Sequence, residues 1–289
     1  ASSTIERLGL APFLEDALQH REVAWFLPGQ PVRIQRLPAP ALGLSRHLLD
    51  ERLAQAFVAA GGILQPSSRI TDLTPRAGRI IATGRRRGPP AWLGLKIHVQ
   101  DLSLERELEL HLGDQGYVGL ARIEEGAVNV CGLFRRRPVA ARGSQLLAAY
   151  LHAAGLDDLA ARLKTAPWHE ESFSAVAGLS FDRRVAPLDR ICLGDACAMI
   201  PPFTGNGMAM AFQSAEAALD PLLDYAAGRA NWMETCRATH AALRGRFRVR
   251  LASAHALHPF LLEPRRQRWL AALNRARLIP FSPLYATLH

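Results

Sequence analysis

The stretch Gly194-Asp195-Ala196-Cys197-Ala198-Met199-Ile200-Pro201-Pro202-Phe203-Thr204-Gly205-Asn206-Gly207-Met208 decides how this chain is read. It follows a short apolar run, residues 190–193, that reads as a buried strand. An acid at the carboxyl end of such a strand points into the crevice where open α/β sheets bind ligands. A carboxylate there accepts hydrogen bonds from sugar-like hydroxyls. The two prolines and Thr204 form a turn, and Gly205-Asn206-Gly207 opens a long helix to about residue 227. Glycines let a flat ligand approach the backbone, and the helix start offers free N–H groups with partial positive charge. Taken singly, the acid is a turn cap and the glycines permit close packing. Their order and spacing favour a ligand site.

Upstream of this stretch, residues 4–18 read as an amphipathic helix and residues 28–40 as a proline-punctuated loop with one short extended piece. Residues 45–60 predict a second helix, with Leu48, Leu49, Leu53, Ala56 and Phe57 as its apolar stripe, Ser45 as cap and Gly61-Gly62 as stop. Residues 63–73 read as extended. Residues 79–84, Arg-Ile-Ile-Ala-Thr-Gly, resemble a buried parallel strand ending in small residues.

Between residues 92 and 136 the hydrophobic period changes to two, and 107–112 alternates strictly as Glu-Leu-Glu-Leu-His-Leu. Runs 92–99, 107–112, 117–123 and 128–134 predict an antiparallel meander with one wet face. Helices at 144–154 and 156–163 and a strand at 173–181 follow. The long helix after Gly207 is apolar on most faces and should be buried. From residue 232 onward the chain is helical, Arg-studded and broken by prolines. Trp92, Leu95, Tyr117, Leu120 and Phe134 are candidates to line an apolar pocket, although a sheet facing its own core would look the same.

The 289 residues suffice for a large core in two packed lobes, and 49% of them are hydrophobic. Lys and Arg number 35 against 26 Asp and Glu, a formal charge of +9. The arginines fall in short clusters, Arg85 to Arg87, Arg135 to Arg137, Arg183–Arg184 and Arg265–Arg266, without a nucleic-acid signature, so solvated loops and helix faces account for them. Cys131, Cys192, Cys197 and Cys236 show no metal-type spacing and read as small buried thiols of a reducing compartment. His255 and His258 stand three apart on a helix with no acidic or thiol partner, and no metal site is assigned. No Ser/His/Asp or Cys/His arrangement argues for nucleophilic catalysis. Neither a signal peptide nor an apolar run of ~18 residues is present, which predicts a cytoplasmic protein and leaves peripheral membrane contact open.

The segment from Gly194 to Met208 resembles the ribityl-binding motif of FAD-dependent monooxygenases of the para-hydroxybenzoate hydroxylase type and of the geranylgeranyl reductases. Leu44-Ser45-Arg46-His47-Leu48-Leu49-Asp50-Glu51-Arg52-Leu53-Ala54 is similar to a second landmark of those families, R-x-x-L/F-D-x-x-L, whose arginine sits beside the cofactor. Residues 79–84 resemble a strand that precedes a third cofactor contact. The resemblance implies FAD, held by Arg46, Asp195, Pro202, Gly205, Asn206, Gly207 and Met208, with NAD(P)H as electron donor and no catalytic residue assigned. The implied fold is α/β: a Rossmann-like FAD-binding domain over residues 1–90 and 182–230, an inserted antiparallel-sheet substrate domain over 91–181, and a helical C-terminal region over 231–289. In these families reduced flavin is negative near its pyrimidine edge, which a helix N-terminus stabilises.

Three departures qualify the resemblance. No GxGxxG occurs in the sequence, and the first βαβ unit that would carry it is missing, as in a chain cut at its start. Ala198 stands where the hydroxylases often carry His, and Ala209 where Asn is frequent, which leans toward the reductases. The link from Ile70 to Arg79 is shorter than the small sheet usual there. The expectation is thus an FAD-dependent oxidoreductase acting on a small hydrophobic organic substrate, by C=C reduction or by monooxygenation. The alternative is a truncated, non-catalytic remnant or basic binding module without flavin. Gln213, Ser214 and Glu216 face either the cofactor or neighbouring helices, and Cys197 reads as a core thiol more readily than as a redox partner.

Overall fold

Alternating apolar and polar residues build one large sheet in this computed structural model, which describes residues 2–85, 88–89, 91–181, 187–276, 278 and 281–288. Arg86, Arg87, Arg183 and Arg184 of the predicted basic clusters lie outside the described residues. Strands β1 (Leu18–Phe26), β2 (Arg33–Gly43), β4 (Trp92–Val99), β5 (Leu108–Gly113), β6 (Gly116–Arg122), β7 (Val128–Arg135) and β8 (Trp168–Ala177) run in the order β2-β1-β5-β6-β7-β4-β8. Every pairing is antiparallel except β1 on β5, which is parallel. A separate parallel pair joins β3 (Ile80–Ile81) to β9 (Ile191–Cys192), as residues 79–84 and 190–193 predict.

The helices are α1 (Ser2–Arg7), α2 (Arg46–Ala59), α3 (Gln145–Ala153), α4 (Asp157–Lys164), α5 (Gly207–Ala226), α6 (Trp232–Leu262), α7 (Pro264–Arg275) and α8 (Phe281–Leu288). Helices α3 and α4 cover one sheet face, where Leu95, Ile97, Leu120 and Phe134 pack against Leu147, Leu151 and Leu159. On the other face Leu110, Leu112, Tyr117 and Leu133 meet Leu261 and Leu262 of α6. Among the described residues, no helix is long and apolar enough to cross a membrane.

The first 43 residues depart most from expectation. The helix predicted for 4–18 stops at Arg7: Gly9 takes φ +65°, and Pro12, without an N–H, starts a single 3-10 turn at Ala11–Leu14. The proline-punctuated loop is instead strand β2. Its prolines Pro38 and Pro40 are tolerated because β2 is the sheet edge, where a missing N–H breaks no ladder on the outer side. Residues 63–73, expected to be extended structure, form no strand and leave Ile63 84% exposed.

Helix α2 is capped by Ser45, whose Oγ accepts the Leu48 N–H, but its stripe is largely unburied: only Leu49 is buried, and Phe57 is exposed. Helix α5 is buried only along Met210, Gln213, Ser214, Glu216 and Ala218, with Leu219 and Leu223 exposed, so the expectation of full burial is corrected. The predicted wet face of the meander is dry as well. Glu109 and His111 lie under α4, where Arg162 binds Glu109 through both terminal nitrogens at 2.9 and 3.2 Å. His111 completes the group at 2.8 Å from Glu109 and stacks on Phe26.

Candidate active site

The loop between β9 and α5 is fixed at three points. Leu193 N–H extends the β3–β9 ladder by donating to Ile81 O at 2.9 Å. Gly194 then turns with φ +58° and donates its N–H to Ser214 Oγ at 2.8 Å. A Cβ at Gly194 would lie 3.4 Å from that of Ala211, so the turn rests directly on α5. Farther along, Thr204 Oγ1 donates to Pro201 O at 3.1 Å and accepts the Asn206 N–H at 3.3 Å, and Gly205 takes φ +66°. The strand–acid–turn–helix reading of this stretch is thereby observed residue by residue.

Asp195 is half-buried beyond β9, and among the described residues its side chain accepts no hydrogen bond. Burial pushes its carboxyl above the usual carboxylate range, and the charges of Arg46 and Arg85 partly offset this. The sequence-predicted Arg46 and Asp195 therefore act on each other across the start of α2. Arg46 itself is mostly exposed and pairs with Asp50 at 2.7 Å. The α2 start is also tied to the large sheet, since Glu124 in the β6–β7 connection accepts the Ser45 N–H at 2.8 Å.

Asn206 occupies the N-cap of α5, yet its side chain donates to Leu288 O at 2.6 Å and caps nothing. The first α5 amide with an intrahelical partner is that of Met210, which reaches Asn206 O at 2.9 Å. The amides of Gly207, Met208 and Ala209 have no hydrogen bond among the described residues. They carry the positive end of a 20-residue helix, a ready site for negative charge. Pro202, Gly205, Gly207 and Met208 are exposed and Asn206 is buried.

Beside these amides lies a cavity of about 960 Å³, bounded by residues 202–206, Met208, Ala209, Phe212 and Gln213, the free face of the large sheet and the C-terminal helices. That volume falls in the range of small-molecule sites. Strand register sets its floor: Leu110, Gly119, Cys131, Lys96 and Ser174 form one cross-strand row, and Leu112, Tyr117, Leu133, Gly94 and Val176 the next. Of the pocket candidates read from sequence, Tyr117 faces this cavity. The side chains of Leu95, Leu120 and Phe134 belong to the core against α3 and α4, because alternation turns them to the opposite face.

Trp92 joins Phe181, Phe203 and Tyr117 around His258, with ring centroids 5.3 to 6.0 Å from the imidazole. His258 is buried there, and desolvation followed by the charge of His255 pushes it down to about 4. His255 is held by backbone, reaching Leu251 O and Phe181 O at 2.5 Å each. The histidine pair is thus split between a carbonyl clamp and an aromatic cluster, and among the described residues no group of three or more potential metal ligands occurs.

Gln213, Ser214 and Glu216 face neighbouring elements first. Ser214 holds Gly194, Gln213 Oε1 accepts from Arg250 at 2.5 Å, and Glu216 ties α1 to α6 through Thr4, Arg7 and Arg246. Sequence reading missed Lys96, Gly119 and the Phe203–His258 stack. Each depends on which sheet face the helices cover, and no local motif marks that.

This fold, a large mixed sheet and a short parallel pair whose second strand leads into the acid–turn–helix segment, is similar to that of solved flavin-dependent proteins. Klebsiella pneumoniae HpxO, solved as a variant in complex with FAD, superposes with a TM-score of 0.72 at 15% identity, covering 98% of this chain and 85% of that one. PqsL of Pseudomonas aeruginosa, a probable FAD-dependent monooxygenase, gives a TM-score of 0.64 at 17% identity, covering 91% and 84%. The flavin-dependent brominase Bmp2 gives 0.66 at 15%, covering 89% and 74%. No protein-family model and no curated protein matches the sequence.

Proposed function

We propose that this protein is an FAD-dependent oxidoreductase that oxidises a small, largely apolar organic molecule, with NAD(P)H as electron donor. The observation that carries the proposal is the junction of two features. The unpaired amides of Gly207, Met208 and Ala209 open α5, and Met208 and Ala209 line a 960 Å³ cavity whose floor is the large sheet. The residues present fit the cofactor. Asp195 offers a half-buried carboxylate free to accept ribityl hydroxyls, and the α5 start offers donors and positive potential for a flavin edge that gains negative charge on reduction. Arg46 and Arg85 lie within electrostatic reach of Asp195 on that side.

When bound, FAD supplies hydride acceptance and the reduced-flavin reaction, with oxygen or with a double bond. The chain's own residues shape the rest. Tyr117 and Leu133 form the floor near the Phe203 turn, and α6 and α8 exclude water from above. Met208, 40% exposed, lies at the cavity wall on the cofactor side. The Ala198 and Ala209 departures favour reduction, whereas solved structures of like fold are named as a probable FAD-dependent monooxygenase, a flavin-dependent brominase and a halogenase. PqsL has been solved with 2-aminobenzoylacetate, a small organic ligand of the kind this cavity would take. We favour monooxygenation on that ground.

This reading divides the chain into a cofactor part over residues 44–90 and 182–230 and a substrate part over 91–181 that also takes the β1–β2 hairpin, which hydrogen-bonds into the large sheet. The C-terminal region 231–289 closes both. The test is a titration of the purified protein with FAD, followed by absorbance and flavin fluorescence, and then NAD(P)H oxidation with and without oxygen. Saturable binding and oxygen-dependent turnover support the proposal. Turnover that persists anaerobically with an unsaturated substrate assigns reduction. Absence of any flavin binding overturns the reading.

A further inference from the structure

The cavity floor carries one feature that an apolar substrate does not explain. Lys96 lies at the centre of β4, between Cys131 of β7 and Ser174 of β8, with its neighbours Leu95 and Ile97 turned into the opposite core. Its side chain is half-buried, and among the described residues it has neither a hydrogen bond nor a carboxylate within ion-pair distance. Two other half-buried cations, by contrast, have carboxylate partners: Arg162 with Glu109, and Arg246 with Glu216. Cys131 opens onto the cavity and does not compensate Lys96, because desolvation by the surrounding protein holds its thiol above the ordinary value, and so uncharged, despite the ammonium beside it. The same burial lowers the pKa of Lys96. A desolvated charge without a counter-charge is costly.

We propose that Lys96 is the recognition site for an anionic group, a carboxylate or an acidic phenol or enol, on an otherwise apolar substrate. The proposal rests on the reading of this cavity as the substrate site. The rows of the floor set the scale. Lys96 stands in the row of Gly119 and Cys131, one pleat repeat from the row of Tyr117 and Leu133 that touches the Phe203 turn. That repeat is roughly 7 Å along the strands, about the length of one aromatic ring. Ser174, paired with Lys96 across β8, and Asn129, whose buried Oδ1 lacks a partner, offer further polar contacts in this part of the floor. The substrate would place its anion on Lys96 and its apolar body toward Tyr117 and the α5 start.

Flavin-free binding tests this directly. N-phenyl-1-naphthylamine, a neutral fluorophore, reports occupancy of the cavity, and decanoate and decanol compete for it. With the unchanged protein, decanoate should displace the fluorophore at about tenfold lower concentration than decanol. In Lys96→Met the decanoate advantage should vanish while decanol and the fluorophore bind as before, and Lys96→Arg should keep it. Gly119→Leu, which fills the floor, separates cavity binding from binding to exterior arginines. Equal displacement by acid and alcohol in the unchanged protein overturns the proposal even if Lys96→Met does not fold. So does an acid preference that survives Lys96→Met. Neither probe involves flavin, so failure of FAD binding and failure of anion recognition are read separately.

Discussion

Tyr117 and Phe203, 86 positions apart in sequence, are joined by a hydrogen bond from the Phe203 N–H to the Tyr117 hydroxyl at 3.3 Å. The same hydroxyl lies 3.4 Å from His258 Nε2, within hydrogen-bond reach of the imidazole. One buried phenol therefore connects the cavity floor, the turn before α5 and the long C-terminal helix. Tyr117→Phe removes the acceptor without opening a large void. A part-buried N–H left without a partner costs about 1–2 kcal/mol. The expected outcome is a loss of stability of that size in urea unfolding, with weakened flavin binding because the Pro202–Thr204 turn loosens. Unchanged flavin affinity in a destabilised variant would show that the bond serves packing alone.

The neighbouring imidazole predicts a pH response. Desolvation holds His258 at about 4 against an ordinary 6.5. The unfolded chain therefore binds this proton at a higher pH than the folded one does. Stability from His258 is full above about 6.5 and falls as pH drops toward 4, by on the order of 3 kcal/mol in all. His258→Phe should flatten unfolding curves between those pH values. An unchanged slope would mean that other groups dominate the acid limb.

Sequence made the local structure of 194–208 legible because strand, acid, turn and helix are local, and each carries its own residue signature. The alternation that predicts β4 to β7 is local too. What failed was non-local. Pro38 and Pro40 argue against a strand unless that strand is known to be an edge, and edge status follows only from the final order of seven strands. Glu109 and His111 look wet until Arg162, 53 positions away, pairs with Glu109. Lys96 looks like an outward lysine until helices are seen to enclose the face it occupies. Pattern gives the period, and the covering elements decide which phase is inside.

Arg162 is the test of that covered face. Burial alone would raise the Glu109 carboxyl, but bonds from His111, Arg162 and the Glu105 N–H outweigh it and hold it down at about 2. With a folded value below the unfolded 4.5, Glu109 contributes stability above about 4.5 that is lost as pH falls toward 2. Arg162→Ala leaves the buried carboxylate with one side-chain donor. It should destabilise by about 3 kcal/mol at neutral pH and shift acid unfolding upward in pH. Circular dichroism during an acid titration measures both. Coincident titrations of the two proteins would remove the pair from the account of stability.

Asp195 has no hydrogen-bond partner within the described protein, so the effect of replacing it depends on the ligand. Asp195→Ala should leave thermal unfolding of the flavin-free protein unchanged or slightly raised, since a partly buried carboxylate is removed. Flavin affinity should fall by tenfold or more, about 1.4 kcal/mol for a lost charge-assisted bond. Differential scanning fluorimetry with and without FAD reads both quantities in one experiment. Equal flavin affinity for the two proteins would remove Asp195 from the cofactor site.

Gly119 tests whether the cavity is the working site. A Cβ at this position would meet only Cys131 O at 3.9 Å and Glu109 O at 4.0 Å, ordinary contact distances, and its backbone is not in the left-handed region. By contrast, a Cβ at Gly132 would press within 2.5 Å of the Phe134 ring, and one at Gly116 within 2.5 Å of the same side chain. Gly119→Leu should therefore fold with stability within about 1 kcal/mol of the parent, because strand propensity offsets small adjustments. Its isobutyl group projects into the middle of the floor, between Leu110 and Cys131. Binding of N-phenyl-1-naphthylamine should weaken at least tenfold and turnover should fall with it, whereas flavin affinity, which the proposed function assigns to residues 194–209, should stay the same. A variant that folds, binds flavin and turns over at the parental rate would place the substrate outside this cavity.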